Sequence, residues 1–358
     1  MALTEGPGKY GGKGLVQDAI FRSLGIGKKE ARELSNISNH GLSQSTWSNY
    51  ATAERLLLKC SKETGKGMEL PLGQAQVLVF VNWLIRERQA KHGTICSYLA
   101  GLRQLHVVAG LEGTVIRTEL VNLVLAGKKH KEVLEKKRGE QKSGRLPVTL
   151  AVMKLIKATL RVSKWDTGKK LAMWAISCLA FNGAFRIHEL LCREESRFDP
   201  QATLLGKDIK TVWNEAQQRE TIVVWLKWPK EDKAGKGLEV EVFETGSEVC
   251  PVKALKKWCW AGVGRPDQPA FMETENRPWT GRAFNRDLQE LIGPHIDRSE
   301  GSITSHSFRS GVPSMLGRAG YSDEQLQAVG RWSSRAFEHY VKLPRTRRRE
   351  MAVEISKL

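Results

Sequence analysis

The sequence predicts a mainly α-helical protein with one small β-hairpin, an α+β fold divided into two domains. Apolar residues recur at helical spacing through most of the chain after Ser45. Two β-rich segments, Thr221–Leu226 and Leu238–Phe243, flank a turn rich in Lys and Gly, which is the pattern of a hairpin. Apolar periodicity almost vanishes between residues 127 and 145, so we expect a connection between domains there.

Length and charge support this division and indicate the kind of partner. A chain of 358 residues is long enough for two or three domains, and its hydrophobic content of 41% is enough for packed cores. Its formal net charge of +18 favours a polyanionic partner. No apolar run approaches the ~20 residues of a membrane-spanning helix. Its six cysteines form no C-x-x-C pair, which indicates reduced thiols of an intracellular protein and no zinc site.

We predict five segments along the chain. The first, residues 1–42, is a basic, partly disordered tail with a short helix near Val16–Leu24. The remaining four are a four-helix bundle over residues 43–127, a basic linker over 128–146, a larger domain over 147–345 and a terminal helix or tail over 346–358.

The predicted linker is densely basic. A run of like charges is usually solvated, but a linker that crosses DNA phosphates is at least as good an interpretation in a protein of this charge. Its predicted DNA-contacting residues are Lys128, Lys129, Lys131, Lys136, Lys137 and Arg138.

The larger domain carries, in a fixed order, the residue types that metal-free cleavage of a phosphodiester requires. Arginine clamps phosphate oxygens, a neutral histidine can accept the proton of a phenol, and lysine can protonate the leaving oxygen. The ordered candidates are Arg186, Glu189, Lys230, His306, Arg309, Trp332 and Tyr340.

Each candidate has an ordinary interpretation when it is taken alone. Arg186 and Glu189 could form a surface salt bridge at i, i+3 spacing. Trp332 could be a core indole, and a tyrosine such as Tyr340 is common in any protein. Lys230 competes with other lysines of the same turn, which could simply touch phosphates. Only the order of the whole set favours a catalytic site.

This order resembles the tyrosine recombinases, the superfamily of lambda integrase, Cre and Xer. The matching boxes are A-x-R-x-x-E at Arg186, H-x-x-R at His306 and G-R-W at Trp332, followed by Tyr340; the last box is more like recombinases of Crypton and DIRS mobile elements. Lys230 resembles the lysine of the family's β-turn, although Pro229 replaces a small polar residue there.

The resemblance implies a two-domain clamp around duplex DNA, with a helical core-binding domain followed by a catalytic domain. Tyr340 would attack a phosphate to give a 3′-phosphotyrosyl link, and the strands would rejoin without a metal ion or other cofactor. Arg186, Arg309, His306 and Trp332 would stabilise the pentavalent phosphate, Glu189 would hold Arg186 or relay a proton, and Lys230 would protonate the 5′ oxygen. Further DNA contacts are expected from Arg103, Lys227, Lys233 and Lys236.

The resemblance also implies assembly: a dimer on each site and a tetramer in the synapse. An apolar stripe at Met351, Ile355 and Leu358 could dock on a neighbouring protomer or fold back on its own chain. We expect a DNA-associated protein, in the nucleus of a eukaryotic host or the nucleoid or cytoplasm of a bacterium. The alternatives are a type IB topoisomerase-like relaxing enzyme and a domesticated DNA-binding protein without activity.

Overall fold

The structure is a computed structural model that describes residues 20–137, 144–193, 198–216, 218–229, 232, 235–260, 265–297 and 299–332. Backbone contacts divide the chain into two compact units, Met1–Gln141 and Lys142–Leu358. No helix in these described ranges is both long enough and apolar enough to cross a membrane.

The first unit is a bundle of helices. Its described helices are α1 (Lys28–His40), α2 (Gln44–Thr64), α3 (Gln74–Arg86), α4 (His92–Val108) and α5 (Glu119–Lys137), with a 3-10 turn at Thr114–Arg117. Helix α2 begins after Ser43, whose hydroxyl accepts the backbone N–H of Thr46, and it ends at Gly65 in the left-handed conformation. The core between the helices includes the buried residues Leu57, Phe80 and Leu99.

Two predicted segments of the first unit contain helix that the sequence did not indicate. The predicted N-terminal tail contains the 13-residue helix α1, which buries Ala31 and Ser35. The predicted linker is helical in its first part, because α5 continues without a break to Lys137. Leu123, Val133 and Leu134 of α5 are exposed. The apolar residues of this helix therefore do not lie on a single buried face, which is the pattern from which the other helices were predicted.

The second unit combines helices with two small antiparallel sheets. Its described helices are α6 (Leu150–Val162), α7 (Thr167–Asn182), α8 (Ile187–Leu190), α9 (Pro251–Trp260), α10 (Gly281–Ile292), α11 (Ser305–Arg318) and α12 (Asp323–Gly330). Its strands are β1 (Ile209–Asn214), β2 (Arg219–Leu226), β3 (Leu238–Phe243), β4 (Met272–Thr274) and β5 (Arg277–Pro278). The larger sheet has the order β1-β2-β3, and β4 pairs with β5.

The hairpin of β2 and β3 is present as predicted, and Val224 pairs with Val240 at its centre. Alternation places Ile222, Val224 and Leu226 on the face that packs on the core. Strand β1 is missing from the prediction because it lies at the edge of the sheet and has four exposed residues in its six. A half-exposed edge strand gives no clean apolar alternation.

Helix α7 is the central helix of this unit and is buried nearly all round, as its sequence predicts. The carboxylate of Asp166 caps it by accepting the N–H of Lys169 at 2.8 Å. The helix ends at Asn182, only a few residues before Arg186. The most buried element of the unit therefore fixes the position of the first arginine of the candidate set.

We predict that Gly311→Ala destabilises the second unit by about 1–3 kcal/mol, because a Cβ there would overlap the carbonyl oxygen of Val148. Chemical denaturation of purified protein measures this change. Gly144→Ala is the matched control, since a Cβ at Gly144 meets no atom within 4 Å. Equal stability of the two variants would contradict the close packing of α11 on the Val148 segment.

Candidate active site

Arg309 holds together two segments that are far apart in the sequence. It lies on α11 and is 2% exposed. Its guanidinium donates to the carbonyl oxygens of Ala184 and Gly330, each at 2.6 Å. Ala184 has a positive φ of 47°, so the chain turns sharply just before Arg186. One buried cation thereby joins the end of α7 to the end of α12.

Trp332 packs against the same guanidinium. The centre of its ring lies 4.8 Å from the Cζ atom of Arg309, in cation–π geometry. Its carbonyl accepts the side-chain amide of Gln327 at 2.8 Å. A Cβ at position 330 would overlap the indole, so only glycine fits at Gly330. The G-R-W box thus places the indole directly on Arg309.

Glu189 is a nearly buried carboxylate that binds two arginines. One oxygen lies 3.1 Å from the Arg186 guanidinium, and the other accepts the backbone N–H of Arg186 at 2.9 Å. That second oxygen also lies 3.1 Å from the guanidinium of Arg331. Arg186 is therefore held through both its backbone and its side chain, which orients its guanidinium.

Arg331 is the site residue that sequence reasoning missed. Its guanidinium donates to the carbonyl of Gly183 at 2.6 Å and stacks 4.7 Å from the centre of the Phe185 ring. Its backbone is left-handed, with φ 53° and ψ 47°, as it closes α12. The only signal in the sequence is a cation beside Trp332; its contact with Glu189 depends on a turn that the sequence does not reveal.

His306 lies in the first turn of α11, one turn before Arg309. Burial lowers the pKa of its imidazole, and the charges of Arg145, Arg309 and Arg186 lower that pKa further. A lowered pKa keeps the ring neutral near pH 7, which is the form that can accept a proton. Arg145 thus joins the electrostatic environment of the site, although its segment was predicted as a linker.

The described part of the site is rich in arginine side chains. Around His306 and Glu189, the structure gathers the side chains of Arg145, Arg186, Arg309 and Arg331. Glu189 contacts two of them, Arg186 and Arg331. Guanidinium groups held in fixed orientations are suited to a phosphate dianion or diester.

The lysine-bearing turn between β2 and β3 is only partly described. Lys230 and Lys233 lie outside the described residues. Gly237 has a φ of 73° and donates its N–H to the carboxylate of Asp232 at 2.7 Å. A Cβ at this position would overlap the Trp225 ring. Lys236 is exposed on this turn.

Lys227 differs from its predicted role as a DNA contact. Its ammonium lies 2.6 Å from the carboxylate of Asp208 and donates to the carbonyl oxygens of Pro200 and Thr203. Three acceptors occupy the three N–H donors of an ammonium group. We therefore assign Lys227 a structural role in holding the 198–208 segment to the end of β2.

Tyr340 also lies outside the described residues, as do Arg138 and the side chains of Lys136 and Lys137. In the first unit, Arg103, Lys129 and Lys131 are exposed. Lys128 is half-buried and forms an ion pair with Glu132 at 3.2 Å. At least one basic residue of α5 therefore forms an ion pair within the helix.

Comparison with known proteins agrees with this architecture. The chain is 22% identical over 195 residues to the "Integrase/recombinase xerD homolog" of Selenomonas ruminantium, a match that covers 53% of this chain and 48% of that protein. The chain thus spans about half the length of this curated relative. A scan against protein-family models finds no match.

Two solved structures have similar folds. The Tn1549 transposon integrase in complex with a circular intermediate DNA aligns with a TM-score of 0.57 and 12% identity, covering 96% of this chain and 98% of that chain. A lambda integrase tetramer bound to a Holliday junction aligns with a TM-score of 0.54 and 16% identity, covering 86% of this chain and 74% of that chain.

The chain therefore has the fold of the tyrosine recombinase superfamily, the class that its ordered residues resemble. Within that class, the solved structures that it resembles are integrases.

We predict that Arg331→Ala destabilises the second unit by about 1.5–3 kcal/mol, because it leaves the Gly183 carbonyl and one Glu189 oxygen without this donor. Arg331→Gly should be about 1 kcal/mol more stable than the alanine variant, since glycine adopts the left-handed backbone without strain. Denaturant titration measures both. The exposed Arg318→Ala is the control; a loss of stability as large in that variant would refute the assignment.

We predict that the His306 imidazole titrates below its ordinary pKa of 6.5 in the folded protein. Because the unfolded chain then binds the proton more tightly, the His306 contribution to stability is complete above pH 6.5. It is lost as pH falls from 6.5 through the lower, folded pKa. NMR titration of the imidazole measures the pKa, and stability against pH in a His306→Gln variant should lack this component. A midpoint at or above 6.5 would contradict the burial of the ring among arginines.

Proposed function

We propose that the protein is a site-specific DNA recombinase that cuts and rejoins strands through a covalent link to Tyr340. The observation that carries the proposal is the cationic cluster around His306 and Glu189, in a chain with the fold of DNA integrases. The cluster joins the Arg186 box to the His306 and Trp332 boxes, which lie more than a hundred residues further along the sequence. Their convergence is what a transition state for phosphoryl transfer requires.

The chemistry follows from the residue types. The phenolic oxygen of Tyr340 bonds to phosphorus while its proton passes to the neutral His306. The bond from phosphorus to the 5′ oxygen breaks, and Lys230 supplies the proton that this oxygen needs. Rejoining runs these steps in reverse, so the ester keeps the bond energy and the reaction needs no metal ion or other cofactor.

The arginines divide the work of binding phosphate. The Arg186 side chain is 26% exposed and is oriented by Glu189, so it can reach a DNA phosphate directly. Arg309 is almost fully buried and holds the surrounding backbone in place, and it contributes its charge at short range. Preorganised donors of this kind commonly contribute about 3–4 kcal/mol each to the transition state. Trp332 packs against the guanidinium of Arg309.

DNA contacts outside the catalytic centre are proposed for cations in both units. They are Arg103, Lys129 and Lys131 of the first unit, the neighbouring Lys136, Lys137 and Arg138, the ion-paired Lys128, and Lys233 and Lys236 of the hairpin turn. Phosphate contacts fix the register of a protein on a duplex without reading its sequence. We therefore expect them to raise affinity for all DNA and to make it dependent on salt.

Assembly on DNA is part of the proposal. A lambda integrase of similar fold forms a tetramer on a Holliday junction. We propose dimers on single sites and tetramers in the synapse, with residues 346–358 docking on a neighbouring protomer. This assembly would place the protein on DNA in its host, in the nucleus or nucleoid.

We predict that wild-type protein forms a covalent, SDS-resistant adduct with nicked duplex DNA from a randomised site pool, and that Tyr340→Phe forms none. Without the phenolic oxygen, no phosphotyrosyl ester can form. Mass spectrometry of the DNA-linked peptide identifies the attached residue. Tyr321→Phe is the matched control, because Tyr321 is 50% exposed.

The same proteins and DNA sites distinguish the alternative functions. An adduct that persists in Tyr340→Phe would reject Tyr340 as the nucleophile. Relaxation of supercoiled plasmid that lacks a selected site would favour a topoisomerase. DNA binding without any adduct on the selected sites would favour a domesticated binding protein.

A further inference from the structure

A cationic cavity lies in the second unit beside α6, α7 and α9. Its volume is about 590 Å³. The floor is apolar and contains Leu160, Leu171, Trp174 and Ala254. Its lining also carries a set of basic side chains: Lys157, Arg161, Lys170, Lys253, Lys256 and Lys257. The cavity therefore combines apolar and basic lining residues.

Two of these cations are already neutralised. Lys157 lies 3.4 Å from a carboxylate oxygen of Glu248 and 5.6 Å from the centre of the Trp174 ring. Lys256 pairs with Glu220. For the other four, Arg161, Lys170, Lys253 and Lys257, the described part of the chain supplies no acidic partner. The cavity therefore has a surplus of positive charge.

Lys253 and Lys257 place like charges on one face of a helix. They lie at i, i+4 on α9, a spacing at which like charges repel each other. Both side chains are exposed, so neither supplies packing for the core. Exposed charges with no acidic partner in the described part of the chain, beside apolar lining residues, indicate a site for an anionic ligand.

The apolar floor decides the class of ligand. Phosphates of duplex DNA can be bound by exposed cations alone and have no group that fills an apolar cavity. An acidic peptide with a large apolar side chain satisfies both parts, because the apolar side chain covers Leu171 and Trp174 while carboxylates meet the lysines. Such a ligand would bury its apolar side chain in the cavity, and its carboxylates would pair with lysines at the rim.

The cavity is separate from the candidate active site. Trp174 lies eight residues before the end of α7 at Asn182 (182 − 174), which is about 12 Å along the helix axis. Arg186 follows that end, and none of the cluster around Glu189 lines the cavity. A ligand in the cavity therefore meets residues that the proposed reaction does not use.

We propose that this cavity is the docking site for an acidic segment of a partner protein that carries a large apolar side chain. The proposal does not depend on the recombinase activity. It requires only the second unit and its basic cavity.

Fluorescence anisotropy of the full-length protein with labelled peptides tests the proposal. The probe is a short peptide in which glutamates flank a phenylalanine and a leucine, and its control replaces both apolar residues with serine. We expect the apolar probe to bind at least tenfold more tightly than the serine control. The double variant Lys253→Glu with Lys257→Glu should weaken binding of the probe at least tenfold.

A charge-matched control separates this cavity from the general positive charge of the protein. Lys210→Glu with Arg219→Glu reverses two exposed cations of the sheet and should leave probe binding unchanged within twofold. Failure of the wild type to bind the probe, equal binding of the serine peptide, or an equal loss in both double variants would overturn the proposal. A larger loss of affinity for duplex DNA than for the peptide in the Lys253→Glu, Lys257→Glu variant would overturn it in favour of a nucleic-acid contact. Covalent adduct formation, measured on the same variants, reports separately on the recombinase activity.

Discussion

The contact of Arg309 with two backbone carbonyls is the interaction on which the candidate site depends. Ala184 and Gly330 each supply one carbonyl, and neither could be left without a donor in a buried position at low cost. The bond to Ala184 fixes the turn that leads to Arg186, and the bond to Gly330 fixes the segment that leads to Trp332. Arg309, which is expected to bind phosphate, therefore also fixes two backbone segments of the candidate site.

Glu189 gives the second constraint, which is electrostatic. A nearly buried carboxylate between Arg186 and Arg331 is stabilised by both charges, and it reduces the repulsion between those guanidinium groups. Burial lowers the pKa of His306, and the charges of Arg145, Arg309 and Arg186 lower it further. The contacts that order the site and the charges around His306 thus come from the same small set of side chains.

The candidate site residues could be proposed from the sequence, because the resemblance depends only on residue types and their order along the chain. Arg331 could not, because its importance comes from a left-handed turn and from contacts with residues far away in the chain. Helix α1 was missed because only three of its thirteen residues, Ala31, Leu34 and Ile37, are apolar. The ion pair of Lys227 could not be predicted, because nothing near this lysine in the sequence indicates that Asp208 lies beside it. Long-range polar contacts leave no local pattern.

The ion pair between Glu189 and Arg331 has a consequence for how such sequences can evolve. A change of Arg331 alone leaves Glu189 to Arg186, and a change of Glu189 alone removes the carboxylate that both arginines share. Homologues that replace Arg331 by a neutral residue should therefore also carry a compensating change at or near position 189. Paired replacement at these two positions, 142 residues apart in the chain, would be the evolutionary trace of a bond that local sequence does not reveal.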